Sequence, residues 1–313
     1  MNDAAESNDL RRGVVAGASA YAIWGLLTIY WKQLRNFNAF ELIGWRIIWS
    51  AIVMAVTLTA MHRWSIVAEV LRNRRLLGRV SLTGMVLTVN WTVYVWAVVH
   101  GNVIETALGY FIAPLGTMAV GVVVLHERLR PAQIIAMTFA VAAIAVITAS
   151  YGRVPWLSLV IAATWTVYAY LKKLVPLTAV DSMAAETFVM LVPAITVATV
   201  FAARSTSVPS SATMGELLLV ACSGLATVVP LTLFAFASRR VPLSVLGPMQ
   251  YVVPTTNFLL GWLAYHEDLP RERVIGFLLV WVGLLLASID TARRANRTRK
   301  KLNTMRVLAG THR

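Results

Sequence analysis

The sequence predicts an all-α integral membrane protein: ten transmembrane helices as two inverted five-helix repeats, with both termini cytoplasmic. Three observations predict it. The 313 residues are 58% hydrophobic and 13% charged, with mean hydropathy +0.69. That is more apolar surface than a soluble fold of this length can bury. The apolar residues fall into ten runs, each near the ~20 residues that a bilayer core of ~30 Å requires. Finally, the stretch Ala97 to Ile135 returns without a gap at Ala237 to Ile275, 140 positions on. Pro114 then meets Pro254, Gly121 meets Gly261, and His126-Glu127 meets His266-Glu267.

The predicted spans, in order, are Gly13–Trp31, Glu41–Met61, Val80–Val98, Glu105–Leu125 and Ala132–Ala149 in the first repeat. Val154–Leu171, Met183–Ala202, Gly215–Ala237, Leu243–Tyr265 and Arg273–Ile289 make the second. Four regions follow: a cytoplasmic segment 1–12, repeats at 13–149 and 150–290, and a basic cytoplasmic tail 291–313. The first run is too long for a signal-peptide core and no small-residue cleavage site follows it, so it reads as a retained helix. With both termini inside, 21 of the 28 lysines and arginines lie on the cytoplasmic side and six outside. That asymmetry is the positive-inside pattern. Five spans per repeat is odd, so the second repeat enters from the opposite face, an arrangement recurrent among secondary transporters.

Charge and motifs narrow the function classes. The net charge of +14 sits in short turns and tails, where it orients the chain; no nucleic-acid role is expected. The lone Cys222 lies inside an apolar run, so no disulfide framework and no cysteine metal cluster is expected. No phosphate loop, metalloprotease motif or nucleophile elbow appears, so neither a catalytic residue nor a cofactor is assigned. The two His-Glu pairs fall on opposite membrane faces and read as helix-terminating turns, with Glu127 and Glu267 near the starts of the fifth and tenth spans.

The fifth and tenth spans carry no ionisable or amide side chain over Ile134–Thr148 and Val274–Ala287, and are expected to face lipid. The fourth and ninth each hold a proline, Pro114 and Pro254. A mid-helix proline frees a carbonyl, and in a membrane such breaks belong inside a bundle or beside a wet cavity. Arg46 lies about five residues inside the second span, roughly 7 Å below the outer surface at 1.5 Å per residue. A charge there needs an anionic partner or water. Glu105 opens the fourth span near the same face and is the expected partner, and Glu41 lies near that face too; a fixed Arg46–Glu105 pair, an Arg46 that snorkels outward and a pair lining a substrate path all stay open. Asn90, Gln250 and Asn257 are amides that either bond neighbouring helices or line a cavity. Among the aromatics, those near span ends, such as Tyr30 and Trp31, read as interface anchors; Trp24, Trp91 and Tyr110 lie deeper.

These residues resemble a known group. Ala20-Tyr21 with Ile23-Trp24-Gly25, Arg46-Ile47-Ile48-Trp49-Ser50, and Asn90-Trp91 form one set. Glu105 with Leu108-Gly109-Tyr110-Phe111-Ile112 and Pro114 forms another; Val229-Pro230-Leu231, Gln250-Tyr251, Pro254 and Glu267 follow. Over residues 12 to 290 the chain is similar to the RarD branch of the EamA transporters, in the drug/metabolite transporter superfamily. The resemblance implies a ten-helix carrier in a bacterial inner membrane, with the first four helices of each half around a central cavity and the fifth and tenth outside it. One departure stands out: His126 and His266 occupy positions where the family usually has glycine.

The expected function is a secondary-active transporter, an exporter of small polar or amphipathic metabolites or drugs, working by alternating access. Its substrate would bind near Trp24, Arg46, Asn90, Tyr110, Gln250 and Tyr251. Glu105 would balance Arg46 or carry a coupling proton, and Pro114 and Pro254 would act as hinges. Expected partners are the substrate, the bilayer, anionic lipid at the basic tail and, as an open alternative, a second copy. The rival readings are a non-transporting membrane sensor or structural protein and, with less support, a membrane-embedded enzyme.

Overall fold

Polar side chains start four of the long apolar helices. Asn38 accepts the Phe40 amide at 2.9 Å and opens α2 (Ala39–Ala60). Asn73 accepts from Arg75 and Leu76 and opens α4 (Arg74–Val99). Thr178 caps α8 (Ala179–Ala202), and a reciprocal Thr213–Glu216 capping box starts α10 (Met214–Ser238). Each side chain satisfies amides that a helix start leaves bare.

The structure, a computed structural model, describes the backbone at residues 2–126, 131–241, 245–246 and 249–310. Side chains are described at 8–290 within that set, apart from positions 121, 125, 133, 151 and 287, and at 293. The remaining helices are α1 (Asn2–Gln33), α3 (Ser65–Arg72), α5 (Val103–Leu125), α6 (Pro131–Tyr151), α7 (Trp156–Lys173) and a helical turn α9 (Val208–Ser211). After these come α11 (Val252–Leu259), continued by a π-helical turn over Leu260–Ala264, and α12 (Arg271–Gly310). Among the described residues, seven helices contain a stretch long and apolar enough to cross a membrane, in α1, α2, α4, α5, α8, α10 and α12. Shorter apolar stretches lie in α6 and over Val252–Ala264.

Two parts differ from the sequence expectation. The short helix α3 sits in the basic loop and tucks Val70 against Leu76, Val80 and Val175. Within the described part of the ninth predicted span the helix is interrupted. Gln250 and Tyr251 form a turn, α11 starts after them, and Pro254 lies in its first turn. A proline is tolerated there because the missing N–H would lack a helical partner in any case. Pro114, by contrast, lies well inside α5.

The helices α1–α6 and α7–α12 form two segments that pack by exchange. α1 lies on α10, and its counterpart α7 lies on α4. α2 lies on α10, and α8 on α4. α5 lies on α7, and α11 on α1. The pairs α2–α8, α5–α11 and α6–α12 map onto themselves. Most helices of either segment therefore pack mainly against helices of the other. Close approach needs glycine at these crossings: a Cβ at Gly224 of α10 would lie 2.5 Å from the Trp49 carbonyl oxygen of α2. The bland helices α6 and α12 pair with each other at the rim, burying Ala136, Ala140, Ala143 and Ile147 against Phe277, Val280 and Leu284.

Polar contacts sort the turns into two ends. At one end Glu267 binds Val103 and Ile104, Glu105 binds Arg153, and Glu41 accepts the Val208 amide at 2.8 Å. At the other, Asp9 meets Arg240 at 2.9 Å, Arg63 meets Asp181 at 3.0 Å, and Arg79 donates to the Leu174 carbonyl.

Candidate functional site

Arg46 stands where α2, α4 and α10 meet. It is 4% exposed. Its Nε donates to Thr227 Oγ1 on α10 at 2.8 Å, and Thr227 in turn donates to the Ser223 carbonyl. The guanidinium carbon lies 3.1 Å from the centre of the Trp91 ring, with Trp31 on a further side at 5.9 Å. Such stacking stabilises a cation by about 2 kcal/mol where water is excluded. One bond of this set, Arg46 to Thr227, ties the first segment to the second.

The expected ion pair does not form. Glu105 is 1% exposed, but its carboxylate binds Arg153 Nη2 at 2.8 Å and the Leu157 amide at 3.2 Å. It therefore holds the start of α7. Among the described residues no carboxylate pairs with Arg46. Glu105 is drawn away because the bare first-turn amides of α7 and the Arg153 fork lie at the same end as the start of α5, whereas Arg46 lies deeper.

Next to Arg46 a polar network crosses the bundle. Asn90 Nδ2 donates to the Ile161 carbonyl at 3.0 Å and to Thr164 Oγ1 at 2.8 Å, both on α7. Tyr110 OH donates to Asn90 Oδ1 at 3.2 Å. Thr28 donates to Asn257 Oδ1 at 2.7 Å and shares a 2.8 Å bond with Tyr94 OH. The rings of Tyr94 and Tyr110 meet edge to face at 5.8 Å, and Tyr110 meets Trp165 at 6.0 Å.

The structure thus brings Arg46, Asn90 and Tyr110 into one region. Trp24 belongs to a separate aromatic group with Tyr21 and Phe234. Gln250 and Tyr251 sit at the break before α11, where Tyr251 stacks on Phe111 at 6.4 Å, toward the α6–α12 rim. Sequence reasoning did not single out Thr227 or Thr28, and it read Trp31 as an interface anchor. Trp31 is not an interface anchor: it is 2% exposed, in the same core as Tyr94. The threonines carried no signal, because a threonine on an apolar helix ordinarily bonds its own i−4 carbonyl.

A polar depression of about 520 Å³ lies at the end that gathers Lys32, Asn102, Arg153, Glu267 and Arg273. Glu267 does not serve its own following helix. Its two oxygens accept the amides of Val103 at 2.6 Å and Ile104 at 2.8 Å, capping α5. Burial pushes its carboxyl above the ordinary value, while those amides, Lys32 and Arg273 pull the other way. Glu127, its counterpart, lies outside the described residues.

Both histidines that precede these glutamates are left-handed: His126 and His266 each have φ 52°. Glycine adopts that conformation without a steric cost.

The EamA-like transporter family matches residues 11–149 and again 154–289. The chain belongs to the EamA-like transporter family. It is 42% identical to Protein RarD of Streptomyces exfoliatus over 94% of each chain. It is 30% identical to Protein RarD of Escherichia coli over 94% of this chain and all of that one. An uncharacterized transporter of Pseudomonas aeruginosa is 36% identical over 92% of this chain and 97% of its own. A solved crystal structure shares the fold at TM-score 0.58 and 18% identity, covering 90% of this chain and 98% of that one. Within the EamA family this is a RarD-branch protein, a multi-pass membrane transporter.

Proposed function

We propose that this EamA protein is a secondary-active exporter of small polar or amphipathic metabolites or drugs. It works across the bacterial inner membrane by alternating access, with ten spans in two inverted repeats and both termini cytoplasmic. The observation that carries the reading is Arg46: a buried cation at the meeting of the two segments, tied across it to Thr227. A charge inside a spanning helix costs ~2.5–3.5 kcal/mol on insertion scales, and such residues mark substrate or ion paths. The exchange-symmetric packing supports the inverted repeat, since two segments related by a two-fold axis repeat each contact in mirror roles. The sorting of turns into two ends supports the predicted alternation of spans.

In this reading Arg46, Asn90 and Tyr110 form the heart of the binding region, with Trp24, Gln250 and Tyr251 on the path to it. Pro114 supplies a hinge inside α5. On the other side the hinge is the break at Gln250-Tyr251 together with Pro254, a discontinuous helix of the kind that lines transporter sites. The test is a ligand screen by thermal shift on purified protein, followed by flux of each hit in liposomes with and without a pH gradient. Flux that depends on protein and on Arg46 supports carriage. Hits that bind and never move support the sensor reading instead.

A further inference from the structure

Among the described residues no carboxylate balances the charge of Arg46. Only its Nε has a hydrogen-bond partner among the described residues, Thr227. Its two Nη atoms have none among the described residues. The nearby acids are engaged elsewhere: Glu41 on the Val208 amide, Glu105 on Arg153 and Leu157. The surrounding phenols are engaged too. Tyr30 donates to the Leu219 carbonyl, Tyr94 bonds Thr28, and Tyr110 donates to Asn90. What remains is a guanidinium whose carbon lies over the Trp91 ring at 3.1 Å, gripped at Nε, with no partner for the other edge of its fork among the described residues. That edge fits a planar carboxylate with two parallel bonds, and aromatic rings stand close by: Trp91 and Trp31 lie 3.1 and 5.9 Å from the guanidinium carbon.

Resting on the transport reading above, we infer that the ligand is a small organic carboxylate. Its anionic group docks on the Nη edge of Arg46, and its apolar body lies along Trp91 and Tyr110. Ligand and arginine neutralise one another at the seam, so the neutral isostere and the cation of the same shape are excluded.

The test uses the full chain in lipid nanodiscs with benzoate, benzamide, benzylamine and inorganic phosphate, affinities being read by thermal shift. Benzoate is expected to bind about tenfold or more tightly than benzamide, the ratio that one charge-assisted bond supplies; benzylamine should not bind. In Arg46→Gln the benzoate preference should vanish, and in Thr227→Val it should fall by a smaller factor. Equal binding of benzoate and benzamide by the native protein overturns the inference, and that comparison needs no variant to fold. So does tighter binding of phosphate than benzoate, or a benzoate preference that survives Arg46→Gln. Liposome flux separates the two readings. Flux of benzamide or benzylamine without benzoate leaves transport standing and overturns the anion site. Arg46-dependent benzoate binding without flux upholds the anion site and overturns transport.

Discussion

Glu267 caps a helix 164 residues earlier in the chain, its Oε1 accepting the Val103 amide at 2.6 Å. The bond fastens the turn after the π-helical segment to the start of α5, so it crosses from one segment to the other. Burial raises the carboxyl's affinity for a proton. The folded protein then holds that proton where the unfolded chain has released it. Stability from this group is fully present below the ordinary value of 4.5 and is lost as pH rises through the raised folded value. Thermal unfolding of native and Glu267→Gln proteins across that window should show the native protein losing stability with rising pH relative to the variant. Parallel curves would show that Glu267 does not titrate there.

The Glu105–Arg153 pair should matter for folding. Arg153 is about half exposed, so its loss is softened by water; Arg153→Ala should cost ~1–2 kcal/mol, below the value for a fully buried pair. Chemical denaturation in detergent reads this. Arg46→Gln should leave the Glu105 pair intact, and the double variant Arg46→Gln/Arg153→Ala should be additive within ~0.5 kcal/mol.

His266→Gly should stabilise. A non-glycine residue in the left-handed region costs ~1–2 kcal/mol, and glycine's extra freedom in the unfolded chain returns ~0.5–1 kcal/mol of that. A net gain of roughly 0.5–1 kcal/mol follows, readable as a small rise in unfolding temperature. A fall would mean that the imidazole makes a compensating contact.

Gly224→Ala should separate α10 from α2. The added carbon would sit 2.5 Å from a backbone oxygen that cannot swing away, and overpacking of this kind costs ~1–3 kcal/mol. Because Thr227 lies one turn on, the same change should also loosen the Arg46 bond. Lower thermal stability together with weaker ligand binding is expected.

What the sequence reveals here depends on distance along the chain. Hydropathy exposes the apolar runs, and the 140-residue offset exposes the duplication because Pro114, Gly121 and His126-Glu127 all survive in both copies. Arg46 is legible as a lone charge in an apolar run. Its surroundings are less so: Thr227 reaches it from another helix with nothing local to distinguish it, and Trp91 is legible as a deep aromatic but not as the ring that Arg46 covers. Glu105 and Arg46 share a face, yet bare amides at a helix start compete for a carboxylate and decide its partner. Pro254 looks mid-helix in sequence because apolar residues continue on both sides of it, yet it has no N–H for the Gln250 carbonyl, and the helical ladder resumes only with Thr255 bonding Tyr251.

The most direct test labels the seam itself. Cys222, the free exposed cysteine, is replaced by serine, and Thr227→Cys is introduced beside Arg46. A membrane-impermeant thiol reagent is then applied from either face of oriented vesicles. Alternating access predicts modification from both faces, with benzoate slowing each. Protection from both faces, with and without ligand, would mean that the seam is sealed and would contradict transport through it.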